Sequence, residues 1–268
     1  MTTTQNFTAP AALPELVAAL RALRPAIVTI DGPAASGKST IGYRLAQLAD
    51  FLFFDTGVMY RALTWAALQA GLDVRNEDTM TTLAEQTSIV ITAPAVAVTD
   101  GRQCTVQING ADITWAIRTP QVDQNVSAVS VHPPVREAMC QQQRRIGQQY
   151  SHGLADKAGV VMVGRDIGTV VMPGAPLKIY MDASAEERAH RRYAEQRDQG
   201  KVMVFATLLA DIVRRDKLDS ERAHSPLRQA PDAYVLDTST LTPDEVVLRI
   251  LQRAYFIVNQ TNPTLALP

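Results

Sequence analysis

Hydrophobic and polar positions follow two rhythms along this chain. Residues 26–30 (Ala-Ile-Val-Thr-Ile) form an unbroken apolar, β-branched run that stops at Asp31-Gly32-Pro33, which predicts a buried strand. A helix-spaced stretch over 37–48 follows, then a short apolar strand over 51–54 and a second helix over 58–69. The same alternation returns with strands over 160–163, 177–181 and 234–236, and helices over 185–197, 205–217 and from 243 onward. Such an order predicts a parallel sheet covered by helices on both faces. The middle of the chain breaks the rhythm. Short β-rich segments at 88–92, 96–99 and 104–108 are separated by Asp100-Gly101 and closed by Asn109-Gly110, two dipeptides that predict hairpin turns in a small antiparallel sheet. Helices over 120–130 and 135–150 complete this insertion. Near the start, 14–23 reads as a short helix with Pro14 in its first turn, expected to pack rather than to do chemistry. Residues 1–10 are polar and expected to be loose. The expected fold class is α/β, a three-layer α/β/α domain carrying an inserted lobe of antiparallel strands and helices.

Composition narrows the function. The 268 residues are 46% hydrophobic and 20% charged, ordinary globular values that leave room for a full core without staples. With 26 basic and 27 acidic residues the net charge is −1, so no global field attracts nucleic acid or anionic lipid. Any anion site must be local. The two cysteines, Cys104 and Cys140, fit no disulfide framework or metal spacing and are expected to be packing residues. The four histidines show no ligand spacing, and Trp65 and Trp115 are not interleaved with basic residues. No apolar run approaches the roughly 20 residues of a membrane span, and the first ten residues lack a secretory pattern. These features predict a reduced, cytoplasmic protein without nucleic-acid or membrane partners.

One motif carries chemistry outright. Gly32-Pro33-Ala34-Ala35-Ser36-Gly37-Lys38-Ser39 fits G-x-x-x-x-G-K-[ST] in full, and Thr40 follows. Its glycines let successive backbone N–H groups face one anion, and the helix that starts there adds its positive end. Lys38 would reach the β- and γ-phosphates and the Ser39 hydroxyl would serve Mg²⁺. The motif lies between a predicted strand and a predicted helix, as its function requires. It establishes a nucleoside triphosphate site but leaves the reaction open. A guanine-reading N-K-x-D segment and a transporter-type Ser-Gly-Gly signature are both absent. Scattered arginines remain, and phosphoryl transfer between two nucleotides calls for convergent cations of that kind. A kinase acting on UMP or a small alcohol, and an ATP-binding regulatory module, stay open at this level.

The blocks Asp31-Gly32-Pro33, Phe54-Asp55-Thr56-Gly57-Val58-Met59-Tyr60-Arg61-Ala62, Ile117-Arg118-Thr119, Gly164-Arg165-Asp166-Ile167-Gly168-Thr169 and Arg215-Asp216-Lys217-Leu218-Asp219-Ser220-Glu221-Arg222 together resemble bacterial cytidylate kinases. The resemblance runs over about 25–258 and leaves a leader (1–24) and a tail (259–268) outside it. Ala35-Ser36 departs slightly from the family's usual small pair. The resemblance implies a monophosphate-binding lobe at about 58–157 and a lid at about 184–200. It further implies that Thr56 and Arg61 hold the acceptor nucleotide, and that Ser127 and Arg136 read its base. Arg165 would bind phosphate, and Asp166 would face the cytosine amine. Arg215 and Asp219 would address the sugar and Arg222 the acceptor phosphate. Spacing alone would make these last three an exposed charged stripe, on one face if the stretch stays helical.

Arg188, Arg191 and Arg192 match the lid, with Lys38, Arg188 and Arg192 expected as the catalytic cations. Pairing with Glu186, Glu187 and Glu195 is the competing expectation. The implied reaction moves the γ-phosphoryl of Mg-ATP onto CMP or dCMP, giving ADP and CDP or dCDP, in a monomer. Cytosine offers an N4 donor and an N3 acceptor, complementary to a carboxylate and a guanidinium, whereas uracil reverses both. Strong preference for CMP over UMP is therefore expected.

Overall fold

The β-branched runs occupy the centre of the molecule. In this computed structural model, which describes residues 11–153, 155–198, 200–222 and 224–261, β1 (Ile27–Asp31) is buried along its whole length. Residues 1–10 and the tail from 262, for which a loose start and an appended tail were expected, lie outside the described residues. Four parallel strands accompany β1: β2 (Leu52–Asp55), β6 (Val160–Gly164), β7 (Leu177–Asp182) and β8 (Tyr234–Asp237). Their order is β2-β6-β1-β7-β8, so β1 is flanked on both sides by strands that come much later in the chain.

Alternate residues of β1 serve opposite layers. Val28 and Ile30 join Leu16 and Leu20 of α1 (Leu13–Ala22), Leu45 of α2 (Lys38–Ala49) and Ile250 of α9 (Pro243–Thr261) in one core. Ile27 points to the other core, with Leu63 of α3 (Gly57–Gln69) and Met139 of α6 (Pro133–Ser151). That second core continues into the inserted lobe. There α4 (Glu77–Gln86), β3 (Ile89–Thr92), β4 (Thr105–Ile108), β5 (Ala111–Asp112) and α5 (Pro120–Ser130) surround Met80, Ile89, Val106 and Ile117. A third, small cluster of Ala189, Leu208 and Ile212 joins α7 (Ala185–Asp198) to α8 (Phe205–Glu221).

Three expectations need correction. Residues 96–99 form no strand: β3 pairs directly with β4, and Val96 is fully exposed, so its alternating valines find neither a partner edge nor a core. Asp100-Gly101 is accordingly not a tight hairpin turn; the Asp100 carboxylate instead holds the Arg102 guanidinium and the Trp115 indole N–H. Asn109-Gly110 does make the two-residue turn between β4 and β5, both residues with positive φ. Helix α4 was unforeseen, although Asn76 caps it by accepting from the Thr79 amide at 2.9 Å and acidic residues fill its first turn. Finally, α8 ends at Glu221 and Arg222 has extended backbone, so Arg222 does not continue the helical face of Arg215 and Asp219.

Candidate active site

In a parallel sheet whose neighbouring strands leave in opposite directions, the carboxyl ends of the strands open a crevice. Here β1 delivers Asp31 and the glycine-rich loop to that edge, β2 delivers Asp55 and Thr56, and β6 delivers Arg165 and Asp166. The loop from Gly32 to Gly37 needs glycine at both ends. A Cβ on Gly32 would sit 2.0 Å from the Met181 carbonyl oxygen, and Gly37, at φ +88°, caps α2 in the left-handed region. Its amides thus lead directly into a helix N-terminus, whose first N–H groups have no partner within the helix. Lys38 is buried, its Nζ 2.5 Å from the Pro33 carbonyl and 3.2 Å from Ser36 Oγ. Burial, and then the nearby Arg165, depress its ammonium well below the ordinary value. Ser39 Oγ donates to Asp55 Oδ2 at 3.0 Å, which sets a hydroxyl and a carboxylate side by side at the loop. Residues Ala35, Gly37 and Thr40 of the loop also line a cavity of about 370 Å³ closed by Arg191, Arg192, Leu241 and Pro243.

Cations from distant segments gather around Arg165, whose charge acts on Lys38. Arg165 Nε donates to Asp219 Oδ2 at 2.8 Å, and Arg222 lies 3.5 Å from the same carboxylate's Oδ1. Arg136 Nη2 donates to Asp166 Oδ2 at 2.7 Å, and Arg222 approaches that oxygen at 3.8 Å. Burial would raise the Asp219 carboxyl, but Arg165, Arg222 and Arg215 together hold it below its ordinary value. Burial, then Arg165, lowers Arg215, which also feels Arg61 and Arg192. Its side chain keeps accessible surface, and it makes no hydrogen bond or ion pair to a described residue. Arg222 is lowered by burial and then by Arg136. Two buried donors in this cluster, Arg136 Nε and Arg222 Nη2, have no hydrogen-bond partner among the described residues. Orphaned guanidinium donors beside mutually repelling cations constitute a site fitted to an anionic ligand rich in acceptors.

The remaining expected residues are placed as follows. Thr56 is buried and donates to the Val163 carbonyl at 3.0 Å. Arg61 pairs with Asp123 at 2.6 Å and donates to the Ile117 carbonyl. Ser127 lies exposed on α5, with no hydrogen bond from its hydroxyl to a described residue. Arg188 is turned inward: its guanidinium meets Asp216 at 2.6 Å and the Ala34 carbonyl of the glycine-rich loop at 3.1 Å. Arg191 bonds Glu187 and Thr238, while Arg192 pairs with Glu195 and stays half exposed. The two expected Glu partners at 187 and 195 are therefore used. Sequence reasoning gave no role to Asp31, Asp55, Asp123, Asp216 or Tyr60, whose partly buried ring lies 5.6 Å from the Arg136 guanidinium. Asp31 and Asp55 could have been found from their place at strand ends beside the loop; Asp123 and Asp216 carry no local signal.

A family model described as cytidylate kinase matches residues 28–255, which includes every group just placed. The chain belongs to the cytidylate kinase family. A cytidylate kinase of Chloroflexus aggregans (strain MD-66 / DSM 9485) is 48% identical over 229 residues, 85% of this chain and 94% of that relative. One of Bacillus subtilis (strain 168) is 45% identical over 225 residues, covering 84% and 94%. The match therefore takes in the sheet, the inserted lobe, α7 and α8 rather than the glycine-rich loop alone. No helix among the described residues is long and apolar enough to cross a membrane, and no group of three or more potential metal-ligating side chains occurs among them.

Proposed function

We propose that this cytidylate kinase transfers the γ-phosphoryl of Mg-ATP to the 5′-phosphate of CMP or dCMP, yielding ADP and CDP or dCDP. The observation that carries the reading is the meeting of Lys38 with Arg165, Asp219 and Arg222 at one edge of the sheet. The glycine-rich loop and Lys38 hold the donor phosphates, and the 370 Å³ cavity beside Arg191 and Pro243 receives the donor base. Arg61, Arg165 and Arg222 take the acceptor phosphate, and Arg215 with Asp219 takes its sugar. Arg136 and Asp166 face the base, supported by Ser127 at the rim and by the Thr56 tie between β2 and β6. Those residues belong to the inserted lobe at about 58–157 and the strand ends beside it.

The acceptor oxygen is anionic at neutral pH, so no side chain need remove a proton. The protein aligns the two phosphates and surrounds the migrating group with fixed positive charge. Ser39 and Asp55 offer the hard oxygen donors that would hold Mg²⁺, directly or through water, and the ion would supply charge neutralisation for the phosphates. In the lid at about 184–200, Arg192 is the exposed cation able to swing in, whereas Arg188 anchors the lid to the loop through Ala34 and Asp216. Closure excludes water that would otherwise hydrolyse ATP.

The deciding experiment measures ADP release at fixed Mg-ATP against CMP, dCMP, UMP and AMP. Saturable stimulation by CMP and dCMP, with UMP at least about tenfold poorer in kcat/KM, is expected. Equal rates with UMP would remove the base-reading role of Arg136 and Asp166.

A further inference from the structure

Asp31 is the last residue of β1, and the next residue opens the glycine-rich loop. It is almost wholly buried, yet its carboxylate reaches sideways across the sheet. Oδ1 accepts the Ile167 amide at 2.8 Å and Oδ2 accepts the Gly168 amide at 2.7 Å. Those amides begin a π-helical turn, Ile167–Val171, whose later N–H groups return to the Asp166 and Ile167 carbonyls. Turns of this type leave their first donors without acceptors inside the turn, and in a buried position a side chain can supply them. Asp31 does so from a separate strand.

The same residue also fixes the other end of the segment. In the sheet register Asp31 lies opposite Gly164 of β6. Only Arg165 and Asp166 separate Gly164 from Ile167, so one residue pins both ends of the dipeptide that faces the acceptor nucleotide. The contact leaves no slack: a Cβ added to Gly168 would come within 3.0 Å of Thr29 Oγ1 and 3.3 Å of Asp31 Oδ2. Burial pushes the Asp31 carboxyl up to about 6, against the pull of the two amides, so keeping a carboxylate here opposes a desolvation cost. An apolar residue would fill the space without that cost, but it would leave two amides unsatisfied.

We infer that Asp31 is a positioning residue for phosphoryl transfer, setting the distance between the donor's phosphate loop and the Arg165-Asp166 pair and thereby acceptor affinity and base choice. The inference rests on the acceptor-site reading of Arg165 and Asp166. A purely structural Asp31 would affect how much protein folds, but not which base the folded enzyme selects.

The test compares full-length wild type with Asp31→Asn, Gly168→Ala and Asp166→Asn. Asp31→Asn keeps the shape but replaces one acceptor by an NH₂ donor facing an amide. Gly168→Ala keeps the carboxylate and pushes the turn away by a few tenths of an ångström. Folding is checked by urea unfolding, and KM is measured separately for ATP, CMP and UMP. Asp31→Asn should raise KM for CMP about tenfold, change KM for ATP less than about threefold, and lower the CMP-over-UMP ratio of kcat/KM about fivefold. Gly168→Ala should move the same quantities in the same direction, and it decides the matter alone if Asp31→Asn does not fold. CMP parameters and base ratio within about twofold of wild type in the folded variants, with Asp166→Asn still shifting the ratio, would overturn the inference while leaving the acceptor site intact. No shift in Asp166→Asn either would overturn both.

Discussion

Removing the Lys38 ammonium should separate catalysis from stability. Its Nζ donates to the Pro33 carbonyl at 2.5 Å, a charge-assisted bond whose loss costs about 2 kcal/mol. The carbonyl is not orphaned in Lys38→Ala, because Ser36 Oγ also donates to it at 3.0 Å. Against the loss stands the cost of holding an ammonium at 5% exposure next to Arg165, several kcal/mol per buried ion in real proteins. These contributions oppose one another, so the net change in unfolding free energy should stay within about 2 kcal/mol. Transfer has no such compensation. A fixed cation beside the migrating phosphoryl, in a site shielded from water, is worth about 3–4 kcal/mol, or roughly 10²–10³ in kcat. A coupled ADP-release assay and urea unfolding on the same preparation read the two quantities. Turnover within about tenfold of wild type, or an activity loss no larger than the loss of folded protein, would refute the reasoning.

Three further outcomes follow from the geometry. Arg188→Ala should destabilise by about 3 kcal/mol and loosen the lid, since it strips Asp216 and Ala34 of their partner; a double-mutant cycle with Asp216→Ala, read by urea unfolding, should give a coupling above about 1 kcal/mol, and strict additivity would dismiss the pair. Asp55→Asn should raise the Mg²⁺ concentration for half-maximal rate about tenfold with KM for CMP little changed, and an unaltered Mg²⁺ titration would exclude Asp55 from the metal's surroundings. The Asp31 carboxyl is raised from 3.8 to about 6 in the folded state, so the native form binds the proton more tightly than the unfolded chain. Its contribution therefore favours folding below about pH 4 and is lost as pH rises through 6, an upper bound of about 3 kcal/mol. Wild type should gain stability relative to Asp31→Asn as pH falls from 7 to 4, and parallel stability curves for the two would contradict the raised value.

The inserted lobe shows where pattern reading stops working. Asn109-Gly110 was legible because a two-residue turn demands positive φ at both positions. The valines at 96 and 98 have the same alternation as a strand, yet β3 and β4 satisfy each other's edge and leave them to solvent. Spacing alone made Arg215, Asp219 and Arg222 an exposed charged stripe on one helix face, and only the family resemblance singled them out; the shared face fails at Arg222, which reaches Asp219 from beyond the helix end. Arg188 shows the reverse: it sits on the expected lid helix but spends its hydrogen bonds on Asp216 and the loop.

By itself the sequence determined the alternation of strands and helices, the glycine-rich cradle, and the family likeness, because periodicity, turn geometry and a contiguous motif act within a few residues. Tertiary structure alone decided which charges meet. Arg165 with Asp219, Arg136 with Asp166, and Asp31 with the amides of 167 and 168 are partners across 54, 30 and up to 137 positions of chain. The choice among many acidic and basic side chains depends on strand order and on burial, which strengthens a nearby charge and penalises an unpaired one, and neither quantity is written in local spacing.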